Sequence, residues 1–111
     1  MRMWMVSPTL LCNKHLIGEH GEIHKHRHNF IKKHSIYGRI NPVVQIEPAN
    51  MQIRHDQLAE EMLKRGINHK SPYIQPDISY LSKEQQEAKV NLLISKQDLI
   101  IRCQECKKNL S

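Results

Sequence analysis

Leu16, Ile23 and Phe30 recur at seven-residue intervals, and His15, Glu19, Glu22 and His26 gather on an adjoining face. At about 100° per residue, these four polar positions fall within roughly 60° of one another. The pattern predicts a long helix from Asn13, read as its cap, to about His34, with Tyr37-Gly38 ending it. Gly18 and Gly21 weaken that helix by up to roughly 1 kcal/mol each, and they leave room for a close approach to its surface. Before it, Ser7-Pro8 reads as an N-cap followed by proline, which predicts a helical turn. After it, Asn41-Pro42 and Glu47-Pro48 punctuate a connecting loop. A second helix is predicted from Asn50 to Arg65, with Ile53, Leu58 and Met62 on its apolar side and Gly66 at its end. Residues 67–81, broken by Pro72 and Pro76, read as a long surface loop. Ser82 to Gln85 fits a capping box and opens a short helix. A last helix fits Ser95 to Lys107, with Leu99 and Ile100 turned inward and Asp98 at the N3 position of a second capping pattern. No segment calls for a strand. The expected fold is all-α, a single compact domain over residues 1–111 with three main helices and long connecting loops.

Composition narrows the function. A chain of 111 residues with 39% hydrophobic and 5% aromatic content builds one modest core of aliphatic helix packing. No apolar run approaches the roughly 20 residues that span a bilayer. Asn13, Lys14 and His15 interrupt the opening apolar stretch too early for a signal peptide. Three cysteines do not make a secreted disulfide framework, so an intracellular, cytoplasmic protein is expected. The net charge of +6 favours a polyanion as partner, DNA or RNA ahead of an anionic membrane; a basic surface kept for solubility is the plainer alternative. The distribution favours the polyanion, because Lys25, His26, Arg27, His28, Lys32, Lys33 and His34 lie within ten positions directly after Glu22.

A purely structural helix has little reason to align two carboxylates and two imidazoles, since like charges at i, i+3 repel. Such a row suits a site that holds a positive or developing positive charge. On spacing alone, the simpler reading of Glu22 is a solvated glutamate paired with Lys25. Three ordered blocks reverse that preference. The run MRMWMVSPTLLCNKHLIGEHGE, the stretch IKKHSIYGR and the segment RHDQLAEEMLKRGINHK together resemble the pyrimidine-dimer DNA glycosylases of the phage endonuclease V type. In that family the chain's own α-amine is the nucleophile and a glutamate on the first long helix is its catalytic partner. The resemblance places these roles on the amine of Met1 and on Glu22.

The same resemblance assigns Arg2 to a DNA-contacting arginine beside the nucleophile and His15 to a histidine lining the site. Lys25 stands where the family has a DNA-contacting arginine, keeping the charge without the bidentate fork. Gly21 replaces a further arginine, so that contact is absent. Arg102 corresponds to a basic residue on the last helix. Lys32 and Lys33 belong to the basic footprint that would meet phosphates. The aromatic- and lysine-rich tail of the best-known members is missing, which leaves dimer specificity the part least carried over.

The chemistry suits those residues. An α-amine has a pKa near 8, more than two units below lysine, and a cationic neighbour such as Arg2 lowers it further. Arg2 is too bulky for ordinary removal of the initiator methionine, so Met1 is expected to persist. The amine must also reach Glu22. Six residues span at most roughly 20 Å, whereas a straight helix from Ser7 to Glu22 would be about 22 Å long. The amino segment must run back nearly extended, or the chain must turn near Asn13.

The implied activity is a metal-independent DNA glycosylase with abasic-site lyase activity on damaged pyrimidines, ultraviolet dimers foremost. Its partner is double-stranded DNA carrying a damaged or abasic site, met by a monomer without membrane or cofactor, in a prokaryotic or phage-encoded setting. Two alternatives stand beside it: a non-catalytic basic DNA-binding module, and a glycosylase of the same mechanism for another modified base. Metal readings rank lower. His20, His24 and His28 at i, i+4, i+8 match no H-E-x-x-H pattern. Cys103-x-x-Cys106 is a half-site that Cys12 and one histidine complete only if the last helix packs on the first. Two reduced cysteines on a terminal helix are the preferred reading, and no metal is expected.

Overall fold

The computed structural model describes residues 2–68 and 72–110. Among them there is no strand. Six α-helices are present: α1 (Asn13–Ile31), α2 (Tyr37–Ile40), α3 (Met51–Lys64), α4 (Lys83–Gln86), α5 (Leu92–Arg102) and α6 (Gln104–Leu110). Short 3₁₀ turns at Pro8–Leu10 and Pro48–Asn50 lead into α1 and α3. The fold is all-α, as the patterning predicts.

α1 packs on α3, and its heptad-spaced Leu16, Ile23 and Phe30 are fully or almost fully buried. They share one core with Leu58 and Met62 of α3, Leu99 of α5 and Cys106 of α6. The amino segment enters that core directly. Met3, Trp4 and Val6 are buried, and the Met3 amide donates to the Gln45 carbonyl at 2.9 Å. The chain turns at Leu11 and Cys12, both extended, before α1 begins. Of the two expected routes for the amino segment, the described residues show a change of direction just before Asn13.

Helix ends depart from the predicted ones for local reasons. α1 stops at Ile31 rather than His34 because Lys33 adopts a left-handed conformation with φ of 57°. The Lys33 and His34 amides then bond the carbonyls of Phe30 and Asn29, a Schellman closure without glycine. α3 closes the same way at Gly66, φ 75°, where glycine carries no steric cost. Asn13 is not the cap but the first helical residue, and Cys12 holds the N-cap position. The Asn13 side chain instead accepts from Arg65 Nη1 at 2.9 Å, while Arg65 Nη2 reaches the Pro8 carbonyl at 3.1 Å. Arg65 thus fastens the end of α3 to the start of α1.

The predicted last helix is two helices. α5 starts earlier, at Leu92, where the Asn91 side chain accepts from the Ile94 amide, and the helix breaks at extended Cys103. Ser95 is therefore no cap; it is buried inside α5 and donates to the Trp4 carbonyl at 2.6 Å. Leu99 faces inward, but Ile100 and, on α3, Ile53 are exposed. Asp98 pairs with Arg2 instead of capping. The Ser82–Gln85 capping box forms as read from the sequence. Of the loop predicted at 67–81, residues 69–71 lie outside the described residues, and the rest holds no helix.

Candidate functional site

The amino segment, the start of α1, the loop before α3 and the outer part of α5 enclose a cavity of about 580 Å³. Arg2, Lys14, His15 and Arg102 supply cationic or titratable walls, Asp98 is the acidic residue among them, and Trp4 adds an indole. Arg2 is buried, its Nη1 3.4 Å from Asp98 Oδ2 and its guanidinium 5.2 Å above the Trp4 ring. Among the described residues its Nη2 has no hydrogen-bond partner. A buried guanidinium nitrogen left unpaired costs free energy unless a ligand accepts from it. Burial and nearby Arg102 push the Arg2 guanidinium below its ordinary pKa, and Asp98 opposes them. His15 stands edge-on to Trp4 with ring centres 5.7 Å apart, and burial and then Lys14 lower its pKa.

The polar row along α1 divides in two. Glu19 is fully buried and receives both arms of Arg54 from α3, at 2.6 and 2.9 Å, so it is a structural ion pair across the helix interface. Glu22 has no such partner. It is only 6% exposed, which excludes the solvated pairing with Lys25. Among the described residues its Oε1 is without a hydrogen bond, although His26 Nε2 lies 3.1 Å away and Arg39 Nη2 4.0 Å away. His26 is buried, and among the described residues both its ring nitrogens lack a hydrogen bond. Burial lowers the His26 pKa, with Glu22 opposing and Arg39 adding to the lowering. Arg39 Nη1 donates to Gln45 Oε1 at 3.3 Å, and Gln45 lines the cavity. A polar chain thus connects Glu22, Arg39 and Gln45 to the cationic wall.

Of the residues expected to act, Arg2, His15 and Arg102 come together on the cavity, with Glu22 behind it. Met1 lies outside the described residues. Lys25, Lys32 and Lys33 are exposed on and just beyond α1, and the lysine pair sits about 25 Å along the helix from His15. Trp4, Arg39, Gln45 and Asp98 were not marked as site residues by sequence reasoning. Trp4, the chain's one tryptophan beside Arg2, was a usable signal; the other three become neighbours only through tertiary contacts.

Two further clusters lie nearby. Cys12, His15, Cys103 and Cys106 bring their sulfur and nitrogen atoms within 4.8 Å of one another, and so do His20, His24 and His55 with their ring nitrogens. The end of α5 and α6 meet the residues at the start of α1, Cys12 Sγ lying 3.7 Å from Cys103 Sγ, so the contact on which a Cys₃His reading depended is present.

No curated protein and no solved structure matches the chain. The family model described as pyrimidine dimer DNA glycosylase matches residues 1–75 of the 111. That span holds the amino segment, α1, α2 and α3, with Arg2, His15, Glu22, Lys25, Lys32 and Lys33. The chain belongs to the pyrimidine dimer DNA glycosylase family.

Proposed function

We propose that this chain is a DNA glycosylase with abasic-site lyase activity, acting on ultraviolet-damaged pyrimidines in duplex DNA through the α-amine of Met1. The observation that carries the proposal is the buried Glu22 carboxylate, whose Oε1 lacks a hydrogen bond among the described residues and which is linked through Arg39 and Gln45 to a cationic cavity. A carboxylate held out of water stabilises a developing sugar cation far better than a solvated one does.

The neutral amine attacks C1′ of the damaged nucleotide, the C1′–base bond breaks, and the base leaves with a proton. Opening of the sugar ring converts the adduct to an imine. Glu22 stabilises the positive charge and moves the protons of ring opening. Loss of the C2′ proton then expels the 3′ phosphate, cutting the strand, and water releases the amine. Arg2, beside the amine, keeps a larger fraction of it neutral and offers its unpaired Nη2 to a phosphate. Arg102, Lys25, Lys32 and Lys33 hold the backbone, and His15 adds its Nε2, since its Nδ1 faces Cys12 and Cys106. Trp4, edge-on to His15, gives an unstacked base an aromatic wall, and a dimerised step unstacks at less cost than an intact one. None of these steps draws on a metal or organic cofactor.

Borohydride reduction of the protein mixed with abasic duplex tests this. A covalent protein–DNA adduct is the expected product. Binding without any adduct would make the chain a non-catalytic docking module. An adduct with abasic DNA but no release from dimer-containing duplex would reassign the lesion while keeping the mechanism.

A further inference from the structure

We propose that Cys12, His15, Cys103 and Cys106 form a tetrahedral structural zinc site that fastens the last two helices to the start of α1. Cys12 and His15 come from the N-terminus of α1, Cys103 from the break between α5 and α6, and Cys106 from α6. The two halves are 88 residues apart or more in sequence, yet Cys12 Sγ lies 3.7 Å from Cys103 Sγ and 3.2 Å from His15 Nδ1. His15 Nδ1 is also 3.7 Å from Cys106 Sγ. Zinc bonds of about 2.3 Å to sulfur and 2.0–2.1 Å to nitrogen place tetrahedral ligands roughly 3.6–3.8 Å apart. Three of the six separations stand at 3.2–3.7 Å, and all six lie within 4.8 Å.

The surroundings suit thiolates. The Cys12 amide donates to Cys106 Sγ at 3.3 Å, and the Cys106 amide donates to Cys103 Sγ at 3.4 Å. Backbone donors aimed at sulfur support metal-bound thiolates as second partners do in other zinc sites. Cys106 is fully buried and Cys12 and Cys103 are partly so. On binding, each thiol gives up its proton to solvent as its sulfur–zinc bond forms, leaving one net negative charge on the cluster. Four protein ligands close the coordination sphere, so the ion has no open position for a water and its role is structural. Cys103 and Cys106 lie beyond residue 75, where the family match ends. The site does not depend on the chemistry proposed for Glu22.

The test uses the full chain, purified from zinc-supplemented cells under reducing conditions and assayed for metal by mass spectrometry. An equimolar amount of zinc is expected. After chelation, reloading with cobalt(II) alone should give intense ligand-field bands of tetrahedral geometry and sulfur-to-cobalt charge transfer. Cys103→Ser should diminish the charge transfer and weaken zinc binding at least about tenfold, whereas His55→Ala should leave both unchanged. If the serine variant fails to fold, the cobalt spectrum of the unaltered chain still decides. Absence of bound metal, a Cys12–Cys103 disulfide in its place, or a cobalt spectrum of nitrogen and oxygen ligands alone would overturn the site.

Discussion

Glu22 and His26 form the most consequential pair of side chains, because both are buried and His26 Nε2 stands 3.1 Å from Glu22 Oε1. Replacing Glu22 with Gln removes the charge and keeps the shape. Strand cleavage should be lost, while binding to undamaged duplex, measured by anisotropy, stays within a few-fold. Full cleavage by Glu22→Gln would take the residue out of the mechanism. His26 makes a separate prediction about pH. Burial lowers its pKa in the fold, Arg39 and Lys25 lower it too, and Glu22 opposes them. In the unfolded chain it titrates near 6.5. Between that value and its lower folded one, the unfolded state binds more protons. Stability is therefore complete above about pH 6.5 and falls as acid carries the group through its folded pKa. Urea midpoints across that range should show the fall, and His26→Gln should reduce it. A slope unchanged by that substitution would place the titration elsewhere.

The helices were legible where a repeating pattern decides them and obscure where single residues do. Leu16, Ile23 and Phe30 announce α1 because a helix must bury one stripe, and the Ser82–Gln85 box announces α4 because both caps are local. The end of α1 was hidden, since no pattern marks a lysine for the left-handed conformation that Lys33 takes. That choice costs roughly 1–2 kcal/mol relative to glycine. Lys33→Gly should accordingly raise the unfolding free energy by about 1 kcal/mol, and an unchanged or lower value would show that the lysine side chain repays its strain in the free protein. Likewise Ser95 was read as a cap because its partner, the Trp4 carbonyl, stands 91 residues away. Glu19 shared a row with Glu22, and only the position of Arg54 on α3 separates their roles. Glu19→Gln leaves that guanidinium buried without its charge partner and should cost about 3–5 kcal/mol in chemical denaturation; a loss below about 1 kcal/mol would mean that water reaches the pair.

The whole molecule is a thin body, 39 × 32 × 16 Å, with its cationic cavity near the N-terminus of α1 and its exposed lysines near the other end. The roughly 25 Å between them spans about seven base pairs at roughly 3.4 Å per step. Affinity for undamaged duplex should fall steeply with salt, and Lys32→Ala with Lys33→Ala should flatten the slope by about two units. An unchanged slope would move the footprint off this end of α1. Everything else in the proposed function converges on one atom, the nitrogen of Met1. The most direct measurement is to reduce the complex with abasic DNA by borohydride, digest it, and locate the nucleotide adduct by mass spectrometry. The predicted result is a modified Met1 amine, with no adduct once that amine is acetylated. An adduct on Lys25 or any other lysine, surviving acetylation of the N-terminus, would contradict the mechanism.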